Sequence, residues 1–307
     1  MVNFLHDKKY RKVNDNNLPK DSTMVDLKSL IKSGVQFGHQ TWRWNPKMKP
    51  YIWGHKNGIH LIDVSKTAFQ LEKAAQFLES LATQGKSILW VGTKKSAQAV
   101  LPKVLESVKS PSVTHRWIGG TLTNYPQVKK SVTKMLHFED ILQKADSSHY
   151  IKKELNLFNK MKERLEKNVG GIRELRWPIG ALIVIDVNKE HVAIKEAKSA
   201  GVPIVALVDT NSDPSGIDFV IPTNDDAPRA LEIILEYLAQ AVKRGQEVAA
   251  TTKPQEEIIL DNSLDRIIET VLGEDGSEAE GQKAKRPVGP ARPQKRLQPR
   301  PQAPRKA

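Results

Sequence analysis

From residue 59 to residue 243 the apolar positions switch repeatedly between short unbroken runs and a helical spacing. Ile59-His60-Leu61-Ile62-Asp63 reads as a strand. Over residues 65–83 the apolar positions Ala68, Leu71, Ala75, Leu78 and Leu81 recur as they would on one face of a helix. Ser87-Ile88-Leu89-Trp90-Val91-Gly92 is a buried strand, and residues 94–107 form a helix broken near Pro102. Residues 181–186, 203–209 and 219–222 repeat the strand pattern, with helices over 190–200 and 227–243. Upstream, a short amphipathic helix starts at Val25, with Asp21 or Ser22 as its cap and Gly34 as its stop. Strand and helix in alternation predict an α/β domain, a parallel sheet flanked by helices.

Residues 124–169 interrupt that rhythm with two charged helical patterns around a polar stretch at 144–149. The first carries Val128, Val132, Met135, Leu136 and Ile141. The second carries Leu155, Phe158, Met161 and Leu165. Both apolar stripes are narrow, which predicts an antiparallel helical hairpin of coiled-coil type. Its helices pack mainly on each other, and Gly170-Gly171 closes it. The expected organisation has five parts. Residues 1–22 are a flexible N-terminal extension. Residues 23–123 and 171–245 form the α/β domain, and 124–170 are the inserted hairpin. Residues 246–282 are an acidic linker with a short helix over 264–272. Residues 283–307 are a basic, proline-rich tail that cannot bury a core and is disordered alone.

Charge sharpens this division. The net +13 is spread unevenly along the 307 residues. Residues 1–57 carry 11 Lys/Arg against 4 Asp/Glu, and residues 101–176 carry 15 against 8. Residues 179–240 reverse the balance with 4 against 10, and the last 25 residues hold nine cations and no acid. A basic front half and tail set against an acidic rear point to a polyanion met by one face. With no cysteine there is no disulfide framework and no thiolate metal site, which fits a reducing compartment. Without an 18-residue apolar run or a signal core, the expected location is cytoplasmic, with no membrane partner.

Residues 37–63 concentrate the candidate chemistry. Trp42, Trp44 and Trp53 are interleaved there with Arg43, Lys47, Lys49 and Lys56. Cations neutralise phosphate and planar rings stack on unpaired bases, so the mixture points to RNA. Pro46 and Pro50 fix the loop. Trp44 and Trp53 could anchor it by their apolar surface, which leaves Trp42 for direct RNA contact. Gly92-Thr93-Lys94-Lys95-Ser96, at a strand-to-helix turn, suits a phosphate of either a nucleotide or RNA. Gly85-Lys86-Ser87 lacks the spacing and the position of a phosphate loop. Asp186 and Asp209 end strands, where open α/β sheets place ligands. Asp209-Thr210-Asn211-Ser212-Asp213 begins like a calcium loop, but Val220 stands where the closing Glu belongs. A turn, weak magnesium or a protein contact remain open at Asp209 and Asp213. The histidines show no tight ligand spacing, so no metal is expected, and no nucleophile elbow occurs. His115 to Asn124 repeats Arg, Trp and a Gly pair, read either as an RNA-facing loop or as a packed turn plugged by Trp117.

Many short motifs then stand in one order. They include Phe37-Gly38-His39, Trp44-Asn45-Pro46-Lys47-Met48, Val91-Gly92-Thr93-Lys94 and Arg116-Trp117. Gly170-Gly171, Ile185-Asp186, Glu196-Ala197, Val208 to Pro214 and Asn224-Asp225-Asp226 follow. Over roughly residues 24–245 the chain resembles the bacterial small-subunit ribosomal protein two family. The resemblance implies a flavodoxin-like sheet with an inserted helical hairpin and a non-enzymatic structural role without cofactors. It also implies contact with 16S rRNA and with other small-subunit proteins, among them the large mRNA-binding OB-fold protein. Carried over by position, the RNA-facing residues are Arg43, Trp44, Asn45, Lys47, Lys94, Lys95, Arg116 and Asn124; charge adds Lys49. Asp186, Asp209 and Asp213 are the protein-docking candidates. Trp53 and Trp90 stand at positions of ordinary core aromatics, and the basic tail is the main departure. The competing function is a nucleotide-binding α/β enzyme with its phosphate site at Gly92–Lys95.

Overall fold

The computed structural model describes residues 26–144 and 150–252. The expected extension at 1–22, the helix over 264–272 and the tail lie outside the described residues. The elements are α1 (Leu27–Ser33), β1 (Phe37–Gln40), β2 (Ile52–Lys56), β3 (Ile59–Ile62), α2 (Val64–Thr83), β4 (Ser87–Val91), α3 (Lys95–Glu106) and β5 (Ser112–Val113). They continue with α4 (Tyr125–Gln143), α5 (Lys152–Val169), β6 (Ile179–Ile185), α6 (His191–Ala200), β7 (Ile204–Val208), β8 (Phe219–Pro222) and α7 (Pro228–Thr252). Among the described residues no helix is long and apolar enough to cross a membrane.

The main sheet runs β5-β4-β6-β7-β8 with every pairing parallel. That is the expected flavodoxin-like α/β architecture, with the strand order reversing between β4 and β6. Alternate residues feed two cores. Trp90, Ala181, Ile183, Ile185, Val205 and Leu207 pack against α2, α3 and α7. Leu89, Val91, Leu182, Val184, Ala206 and Val208 pack on the opposite face with α6 and the start of α4. Both faces are apolar because both are covered, which is why these strands read as unbroken apolar runs.

Four expectations change. Residues 59–62 do not join the parallel sheet. They form the centre of a separate antiparallel sheet, β1-β3-β2, whose tight turn is Asn57-Gly58 with φ 52° and 75°. The cap of α1 is Asp26, whose carboxylate accepts from the Lys28 N–H, rather than Asp21 or Ser22. Helices α4 and α5 do meet, through the Phe138 and Phe158 rings 5.6 Å apart. Yet Val128, Val132 and Met135 sink into the core below the sheet, so the first half of α4 packs on the α/β layer.

Helix α7 also runs through Gly245 to Thr252, past the expected end at 243. Gly245 is a crossing point rather than a stop. A Cβ there would lie 2.5 Å from the Glu79 carbonyl and 2.6 Å from Ala82 Cβ, both on α2. Gly→Ala inside a helix ordinarily stabilises by about 1 kcal/mol. Here Gly245→Ala is expected to destabilise by about 1–3 kcal/mol through overpacking, read as a lower urea midpoint at an unchanged slope.

Candidate functional site

Chain topology gathers the chemistry at the carboxyl ends of the main strands. The loops after β4, β6, β7 and β8 meet there, around the crevice where the strand order reverses. The segment after β1 is laid across them. Gly38 makes this possible, since a Cβ would stand 2.5 Å from Thr210 Cγ2. The His39 N–H donates to Thr210 Oγ1 at 2.8 Å, and the Asn45 N–H donates to the Thr210 carbonyl at 2.8 Å. His39 is thereby held over the crevice. Its Nδ1 lies 3.0 Å from Asp209 Oδ2 and its Nε2 3.4 Å from Asp226 Oδ2.

Lys94 enters from the other side. Its ammonium lies 2.7 Å from Asp225, 2.5 Å from Asp226 and 3.6 Å from Asp186. Burial works against its charge, but the bonds to Asp225 and Asp226 outweigh it and raise the lysine above its ordinary value. Asp225 is fully buried. Burial first, then the charges of Asp209 and Asp186, push its carboxyl up to about 7 against the pull of Lys94. Asp186 has φ 68°, an uncommon conformation for a non-glycine residue. Its Oδ1 accepts from the Asn188 and Lys189 N–H groups.

One imidazole and three carboxylates could also hold a divalent cation. Ligand atoms of His39, Asp209, Asp225 and Asp226 all lie within 4.8 Å of one another. Asp225 Oδ2 is buried and lacks a hydrogen-bond partner there, as an open ligand position would. Asp213, paired with Asp209 in the sequence reading, is elsewhere. It meets Lys47 at 2.7 Å, and that bond holds its carboxyl down to about 2.

The turn suited to phosphate is already filled. Glu190, buried, accepts from the Thr93 N–H at 3.0 Å and from the Thr93 hydroxyl. Lys189 Nζ donates to the Thr93 carbonyl at 2.6 Å. A nucleotide phosphate would have to displace this carboxylate from the backbone donor it needs.

The remaining predicted residues are dispersed around this crevice. Arg43 lies 4.5 Å over the Trp42 ring, and Trp42 is 72 % exposed. Trp44 is half-buried, 5.2 Å from the His60 ring, as an anchor should be. Trp53 is 75 % exposed, so it is neither an anchor nor a core aromatic. It sits at the β2 irregularity that disturbs the side-chain alternation. Trp90 is fully buried, as expected. Asn45 accepts from the Lys47 N–H and caps a 3₁₀ turn over Pro46–Tyr51. Lys49, Lys95 and Arg116 are exposed and form no ion pair with described residues; Asn124 is exposed at the start of α4. Glu190, His39 and Asp226 had no assigned role in the sequence reading, and Thr93 stood there only within the turn suited to phosphate. The motifs Phe37-Gly38-His39 and Asn224-Asp225-Asp226, quoted without chemistry, were the signals that contained His39 and Asp226; nothing marked Glu190.

Against known proteins, the profile of the family described as ribosomal protein S2 matches residues 30–245. The chain belongs to the ribosomal protein S2 family. A relative from Cytophaga hutchinsonii, small ribosomal subunit protein uS2, is 45 % identical over 232 residues, 76 % of this chain and 90 % of the relative. The protein of the same name from Phocaeicola vulgatus is 42 % identical over 239 residues, 78 % of this chain and 86 % of that one. The family match spans every crevice residue from His39 to Asp226 and ends at Gly245, the α2–α7 crossing.

The crevice makes stability depend on pH. Asp225 titrates near 7 in the fold against an ordinary 3.8. His39 is raised above its ordinary 6.5 by its bond to Asp209. Both folded values exceed the unfolded ones, so their stabilisation is full at low pH and lost as pH rises through the folded values. With chelator present, the urea midpoint should fall between about pH 4 and 7, the window of Asp225, and His39 continues the fall above its ordinary value. Asp225→Asn should flatten that fall; an identical fall in the variant would refute the assignment.

Proposed function

We propose that this chain is a structural, non-enzymatic protein of the small ribosomal subunit. In this reading it binds 16S rRNA through exposed cations and presents the acidic crevice to a protein partner, the large mRNA-binding OB-fold protein. The match to the ribosomal protein S2 family over residues 30–245 carries the proposal. The placement of charge supports it. Arg43, Lys49, Lys95 and Arg116 sit on segments that cover or leave the carboxyl ends of the main sheet, with their charges turned to solvent. Lys47 and Lys94, candidates of the same kind in sequence, are engaged by Asp213 and by the crevice carboxylates. The four exposed cations are therefore the phosphate contacts, and Lys94 serves the fold. Asp186 and Asp209 face the crevice with more negative charge than Lys94 and His39 neutralise, which suits a cationic segment of a partner.

The competing reading, a nucleotide-using enzyme, needs the loop at 92–95 free for phosphate. The Glu190 carboxylate at Thr93 counts against it. Titration calorimetry with ATP and GTP should be flat, and stoichiometric heat would restore that reading.

Replacing Arg43, Lys49, Lys95 and Arg116 by Ala should leave the melting curve intact and impair incorporation into subunits. The dependence of log K on log salt should become shallower by about one unit for each cation that no longer neutralises a phosphate. Lys94→Ala should behave oppositely. It takes the Lys94 ammonium out of the crevice, so stability should fall, and most above about pH 7 where Asp225 would be ionised. An unchanged salt slope in the quadruple variant would remove these residues from the interface.

A further inference from the structure

Two glutamates at α6 have the same unusual task. Glu190, the residue that caps α6, takes the Thr93 N–H and hydroxyl. Glu196, on the second turn, takes three donors from the loop between β5 and α4. Its Oε1 accepts from Trp117 Nε1 at 3.1 Å and from the Gly120 N–H at 2.9 Å, and its Oε2 accepts from the Leu122 N–H at 3.1 Å. That loop contains Gly119 and Gly120, the latter at φ 93°, and without such ties it would sample many conformations. Each tied loop presents one exposed cation. Lys95 lies two residues after Thr93, and Arg116 lies immediately before Trp117.

We infer that Glu190 and Glu196 are positioning residues for RNA binding. They act as internal anions that hold one backbone donor of the first loop and two of the second and fix them, so that Lys95 and Arg116 meet phosphate without first being ordered. The inference rests on the reading of these loops as RNA-facing. The geometry carries two consequences. Phosphate is met by side-chain cations and not by the Thr93, Gly120 and Leu122 N–H groups, since a carboxylate already holds those three donors. Removing either glutamate returns an ordering cost to binding but leaves every cation–phosphate pair in place.

The test is rebinding of the full-length chain to small subunits depleted of it, over a salt series. Thermal melts of the free chain serve as the folding control. Glu196→Ala should weaken binding about tenfold at fixed salt, the scale of one loop's ordering. Glu196→Gln keeps one acceptor oxygen and should weaken it less, and it is the variant to rely on if the Ala form melts early. In both, the slope of log K against log salt should equal that of the unaltered chain. Arg116→Ala should lower that slope by about one unit. Glu190→Gln should repeat the Glu196→Gln signature. A purely structural role would move only the melting temperature. Unaltered affinity in folded Glu196 variants would overturn the inference while leaving the RNA reading in place. A reduced slope in those variants would also overturn it. Salt-insensitive binding by the unaltered chain would overturn the RNA reading and the inference with it.

Discussion

Lys94 brings one ammonium into a crevice that holds Asp186, Asp225 and Asp226, with Asp209 and His39 alongside. Two like charges about 4 Å apart repel by about 4 kcal/mol at an effective dielectric constant near 20. Four carboxylates in one crevice therefore cannot all be ionised beside a single lysine without a large penalty. The fold meets this in two ways on its own. Asp225 keeps its proton up to about pH 7, and His39 is biased toward its charged form. A third remedy is added positive charge from outside, either a divalent cation on the four clustered ligands or the basic segment of a partner. A phosphate placed here would add to the repulsion, so the crevice disfavours RNA.

The place where a doubly wound sheet usually takes its ligand has thus been given to the chain's own charges. Glu190 fills the anion seat after β4, and Lys94 fills the cation seat between β4 and β6. Retaining the fold's topology without its open ligand site is compatible with a structural protein. What remains outward-facing is the rim: Arg43 stacked on Trp42, Lys49, Lys95 and Arg116. Inward and outward charges are separated within short distances along the chain. Lys94 and Lys95 are neighbours, yet one is held by three carboxylates and the other is free to solvent.

How much of this was legible follows from the range of each interaction. Strands β4, β6, β7 and β8 are buried on both faces, so their apolar runs announced them. Strands β1 and β2 are short and irregular, with Trp53 exposed at a break in register, and neither periodicity marks them; the Asn57-Gly58 pair is a hairpin signal that went unread. Gly245 read as a helix stop because nothing local reveals that α2 crosses there. Of the crevice, Asp186 and Asp209 were legible as strand-end residues, but the way it closes was not. His39 and Asp226 are far apart in sequence, and no spacing rule predicts that Gly38 lies flat on Thr210. Lys94 and Lys95 looked alike in sequence, since what separates them is the β8 loop that returns to one and not the other.

The central claim is that RNA meets the cationic rim and leaves the acidic crevice alone. Ultraviolet cross-linking of assembled small subunits, with the cross-linked peptides mapped by mass spectrometry, tests it most directly. The account predicts adducts between 16S rRNA and the peptides containing Trp42-Arg43, Lys95 and Arg116, with residues 209–226 free of RNA. Adducts concentrated at 209–226, or an absence of any at the rim, would contradict it.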